Sequence, residues 1–86
     1  MVEYGKMIHY KKRTKMSPIR VLDEAARFFG APGQGLSLDE RDSHHAYFSG
    51  DGSFISIQAV PSNDETEVDL AARGWSFQAS EFMARL

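Results

Sequence analysis

Asp42-Ser43-His44-His45 gathers the side chains of this 86-residue chain best suited to chemistry. Imidazole nitrogens and a carboxylate ligate divalent metals, and the same groups move protons in acid–base catalysis. Strand geometry limits what they can do. Adjacent residues of an extended segment point to opposite faces, so His44 and His45 cannot hold one metal, whereas Asp42 and His44 share a face. A catalytic zinc takes three protein ligands, and the only further histidine, His9, lies in a distant segment. The reading is no metal and no cofactor. Asp42 and His44 become candidate polar groups of a ligand pocket. Trp75, next to Gly74 at a junction between elements, reads first as a core lid over the sheet, and joins them as a ring able to line a pocket or a partner interface.

Other constellations carry less. Ser17, Ser43, Ser49 and Ser53 lack the Gly-x-Ser-x-Gly setting of an exposed nucleophile. "GAPGQG" (30–35) and "SGDGS" (49–53) are glycine-rich, but no Gly-Lys-Ser/Thr follows to cradle a phosphate. "SGDGS" is also too short for a calcium loop. Asp23–Glu24, Asp39–Glu40 and Glu67–Asp69 are carboxylate pairs that would work as acid and base only if buried together. No catalytic residue is assigned, and the chain is read as non-enzymatic.

Composition narrows the class. The chain is 42% hydrophobic and 12% aromatic, enough for one core and too apolar for a disordered segment. It has no cysteine, so disulfides, thiolate zinc sites and cysteine nucleophiles are excluded. No apolar run approaches the about 18 residues of a membrane span. The opening "MVEYGKMIHYKKRTKM" lacks the order of a signal peptide. A cytoplasmic protein without a membrane partner is expected.

The net charge of −2 conceals an asymmetry. Residues 1–20 carry Lys6, Lys11, Lys12, Arg13, Lys15 and Arg20 against Glu3 alone, and the rest is strongly acidic. Lys11, Lys12 and Arg13 are the candidate nucleic-acid contacts. The competing account is that acidic neighbours neutralise them within the fold.

The elements follow from periodicity. Residues 4–16 alternate, with Tyr4, Ile8, Tyr10, Thr14 and Met16 on one face and His9, Lys11, Arg13 and Lys15 on the other. Lys6 and Lys12 interrupt the pattern. "SPIRVLDEAARFFG" (17–30) reads as a helix: Ser17 as N-cap, Pro18 at N1, and a stripe of Ile19, Leu22, Ala25, Ala26 and Phe29. Gly30 fits the residue just past its end. Leu36 and Leu38 suggest a short strand. Strands 44–49 and 53–60 flank Asp51-Gly52, a turn pair that tolerates positive φ. Ile55, Ile57 and Ala59 should face the core. "PSNDE" (61–65) is a turn.

Residues 66–73 alternate as a strand, and a helix capped by Ser76 would bury Phe77, Ala79, Phe82, Met83 and Leu86. The alternative is one long helix over 65–86, because Val68, Ala71, Trp75, Ala79, Phe82 and Leu86 also share a helical face, at a cost of about 1 kcal/mol for Gly74 in its middle. The fold expected is α+β, ordered β-α-β-β-β-β-α, with both helices on one face of an antiparallel sheet. If the first and last strands are neighbours, Glu67 and Asp69 meet Lys11, Arg13 and Lys15.

A strand, then "SPIRVLDEAARFF", then a strand meander and a C-terminal helix resembles the helix-grip pattern of START-like lipid- and small-ligand-binding domains. That resemblance implies a cavity between the first helix and a curved sheet. It rests on element order without a residue motif, and this chain is much shorter than that family, with fewer strands.

Three functions remain. The leading one is a small non-enzymatic binding or interaction domain, self-associating as a homodimer or taking an unidentified protein partner. The second is a small-ligand pocket between the first helix and the sheet. The third is nucleic-acid binding through the basic first strand.

Overall fold

A computed structural model describes residues 7–31 and 33–86. Tyr4 and Lys6 of the expected first strand, and Pro32 of the loop, lie outside the described residues. The order is β1 (Met7–Thr14), α1 (Pro18–Phe29), β2 (Ser37–Arg41), β3 (His45–Gly50), β4 (Ser53–Ser62), β5 (Glu65–Arg73) and α2 (Ser76–Ala84). This is the expected α+β succession. The five strands form one antiparallel sheet in the order β1-β5-β4-β3-β2. The first and last strands are neighbours, and residues 66–73 are strand, not the start of a long helix.

Local chemistry fixes most boundaries. The Ser17 hydroxyl accepts from the Arg20 amide at 3.2 Å, and Pro18 opens α1 where its missing N–H removes no bond. Gly30 ends α1 in an extended conformation, not the left-handed one expected of it. Its need for glycine is steric, since a Cβ would stand 2.4 Å from the Ala26 carbonyl oxygen. Asp51 (φ 53°) and Gly52 (φ 76°) make the two-residue turn between β3 and β4. Asn63 (φ 57°) and Asp64 turn β4 into β5, so the strands reach further into "PSNDE" than expected.

Both helices cover one face of the sheet. Ile55, Ile57 and Ala59 of β4 point inward with Val68, Leu70 and Ala72 of β5, and with Ala46 and Phe48 of β3. Val21, Leu22, Ala25 and Phe29 of α1 meet them. Phe29 joins the layers, 5.7 Å from the Phe48 ring and 5.3 Å from Phe82 of α2. Offset aromatic contacts of this kind add to the area they bury.

Two expectations about facing and one about a helix cap need correction. Ile19 is 57% exposed and Val21 is buried in its place. At 100° per residue, Ile19 lies roughly 100° round α1 from the centre of the buried stripe. Phe77 is 72% exposed, on the side of α2 away from buried Ala79, Phe82 and Met83. Ser76 is the first helical residue, not the cap. Trp75 holds the cap position with φ 58°, after Gly74 at φ 75°. Two successive left-handed residues turn the chain sharply from β5 onto the sheet's inner face, and the indole of Trp75, a donor without an acceptor, makes no side-chain cap.

Candidate functional site

Asp42, Ser43 and His44 form the connection between β2 and β3. The Asp42 carboxylate accepts from the His44 amide at 2.8 Å, and the Asp42 amide donates to the His45 carbonyl at 2.9 Å. His44 therefore precedes β3, and its ring is exposed beside the Ser43 hydroxyl, 3.2 Å from Nδ1. An aspartate that bonds the backbone two residues on is a turn device. His45 is the first residue of β3 and points to the sheet's outer face, where its Nε2 lies 3.0 Å from Ser56 Oγ on β4.

Trp75 stands elsewhere. It follows the end of β5 that pairs with the start of β4, whereas the carbonyl of His44 accepts from Ala59 towards the other end of β4. The structure thus brings Asp42 and His44 together and places Trp75 at the opposite end of the sheet. Trp75 packs half-buried against the core. Between α1 and the sheet, Val21, Leu22, Ala25, Phe29, Phe48, Ile55 and Ile57 are all fully buried.

Lys11, Lys12 and Arg13 are split by the pleat. Lys11 and Arg13 point outward, opposite Asp69 and Glu67 of β5. Lys11 Nζ is 3.8 Å from Asp69. Arg13 bonds Glu65 at 3.1 Å through Nε and reaches Ser62 with both terminal nitrogens. Lys15 also approaches Glu65, at 3.8 Å. Neutralisation within the fold is therefore present, with Asp69 in its expected role and Glu65 taking the contacts anticipated for Glu67. Lys12 points inward, which explains the broken alternation. Its ammonium donates to the Met83 carbonyl at 3.0 Å, where the C-terminal end of α2 attracts a cation.

Two surface features carry binding chemistry; one involves Tyr47 and Phe54, aromatics whose spacing suggests core or, on an exposed face, base stacking as in an RNA-binding sheet. On the outer face, the Tyr47 and Phe54 rings stack nearly parallel at 5.7 Å, with the Arg73 guanidinium 5.9 Å from the Phe54 ring. Beside them, His9, Ser56, Gln58 and Asp69 border a shallow depression of about 280 Å³ whose floor is Ala71. Between β1 and α2 runs a groove of about 250 Å³, lined by Tyr10, Lys11, Lys12, Ser80, Met83 and Ala84. The signal for the groove was the small pair Ser80 and Ala84, one turn apart on α2. Only the docking of α2 beside β1 gives that pair a meaning.

Among the described residues, no three His, Asp or Glu side chains come together in a metal-binding group, and no helix is long and apolar enough to cross a membrane. The chain matches no protein-family model, no curated protein and no solved structure.

Proposed function

We propose that this protein is a non-catalytic binding module that captures an extended segment of a partner protein along strand β1. The observation that carries this reading is the pairing of a sheet-edge strand with a groove. Among the described residues β1 has one neighbour in the sheet, β5, so alternate residues of β1 aim their N–H and C=O groups outward. Alongside runs the groove walled by Ser80, Met83 and Ala84 of α2. Main-chain bonds to such an edge supply affinity, and a flanking groove selects side chains.

Other readings gain less support. The layer between α1 and the sheet is filled by packed side chains, which argues for a surface over an enclosed ligand pocket. Homodimerisation through β1 would set Lys11 and Arg13 of one copy against the same cations of the other, a destabilising arrangement. Nucleic-acid phosphates would compete with Asp69 and Glu65 for Lys11 and Arg13.

Backbone amide shifts and hydrogen exchange, followed while strand-forming peptides are added, test the proposal. Protection of alternate β1 amides is expected. Sedimentation across micromolar concentrations gives the competing outcome: a dimer that protects the same amides would replace partner capture with self-association.

A further inference from the structure

Resting on β1 as the docking strand, we infer that the captured segment alternates acidic and apolar residues. β5 supplies the reason, because it is the sequence with which β1 already pairs. Opposite Lys11 and Arg13 on the outer face, β5 places Asp69 and Glu67. Opposite Tyr10 and Lys12 on the inner face, it places Leu70 and Val68. A strand added at the free edge meets the same β1 side chains from the other side. Its outward residues lie beside Lys11 and Arg13, and its inward residues enter the groove against Tyr10, Ser80, Met83 and Ala84. Directly opposed unlike charges stabilise such a pair and like charges oppose it.

The charge balance points the same way. Among the described residues, Lys11, Arg13 and Lys15 have two carboxylates within ion-pair distance, Asp69 and Glu65, both on the β5 side. Lys12 is held by the Met83 carbonyl at the end of α2 and not by a carboxylate. Strand β1 itself contains no acidic residue. The edge is therefore electropositive along the line an incoming strand would take. Ser80 and Ala84 are small and exposed, which leaves space on the α2 wall for Val- or Leu-sized side chains.

The test titrates the full chain with three synthetic decapeptides: Glu and Val alternating, the same composition with the Glu residues clustered, and Lys and Val alternating. The alternating Glu/Val peptide should protect alternate β1 amides and shift Ser80 and Ala84. Binding should weaken about tenfold in Lys11→Glu/Arg13→Glu. It should be lost in Ser80→Tyr, which fills the groove from an exposed position; circular dichroism checks that each variant is folded. Equal binding of the clustered peptide would overturn strand addition in favour of unspecific charge attraction. Equal binding of the Lys/Val peptide at β1 would overturn the acidic class while leaving the edge as a docking strand. If no peptide protects β1, both this inference and the proposed function fail.

Discussion

The two edges of the sheet are built to different ends. β2 is short, exposed along its length and interrupted by a register shift between Leu38 and Glu40. It is tied down by its own side chains. Asp39 accepts from Ser37 at 2.9 Å and from Ser49 of β3 at 2.5 Å, and Arg41 reaches Asp23 of α1 at 2.7 Å. Bulges, short length and charge are how natural sheets discourage further pairing. β1 is longer and keeps an unbroken register of eight pairs with β5. Its groove lies on the α2 side. The difference teaches that exposure alone does not make two edges alike: one is blunted by irregularity and side-chain ties, the other stays regular with a groove beside it.

The contrast can be broken at the wall. Phe82→Ala removes the ring that packs α2 against Phe28 and Phe29. It should cost about 3–5 kcal/mol in urea unfolding. Near the unfolding limit, β1 should then lose protection before β3 does. Gly74→Ala forces a side chain onto φ 75°, with its Cβ 2.5 Å from Ser53 Oγ. More than about 1 kcal/mol should be lost, and the docking angle of α2 should change, seen as shifts at Ser80 and Ala84.

Smaller effects separate the edges themselves. Arg13→Ala and Arg41→Ala should each cost about 0.2–1 kcal/mol, because both ion pairs are partly exposed. Hydrogen exchange should rise at β1 in the first and at β2 in the second. The smallest effect is titration at β2. Hydrogen bonds from Ser49 and then Ser37 hold the Asp39 carboxyl below its ordinary value of 3.8. A depressed folded pKa means the stabilisation is present above the unfolded value and is lost as pH falls through the folded one. β2 should loosen only in that acidic window, and Ser49→Ala should move the Asp39 titration upward in an NMR pH series.

Much of this architecture was legible in local chemistry. Ser17-Pro18 and Asp51-Gly52 announce their own geometry within a few residues, and Ile55, Ile57 and Ala59 alternate cleanly. What escaped depends on distant neighbours. β2 was expected around Leu36 and Leu38, yet the strand is Ser37–Arg41, because pairing with β3 and not apolar content defines it. Phe77 looked like core and is exposed, since the left-handed Gly74-Trp75 turn sets which side of α2 meets the sheet. Lys12 looked like a flaw in a strand pattern. Its partner, the Met83 carbonyl, lies near the other end of the chain. The groove was invisible for the same reason, its walls being β1 and α2. Asp42 and His44 drew attention by residue type, and the structure gives Asp42 a turn to stabilise.

The pairing of β1 with β5 also sets a timetable for folding. Met7 stands opposite Arg73 and Thr14 opposite Thr66, so β1 leaves the ribosome long before its partner exists. Contacts this far apart in sequence close late and slow folding. Throughout that wait the nascent strand has both edges bare. Three adjacent like charges, Lys11, Lys12 and Arg13, oppose pairing of that segment with a second copy of itself.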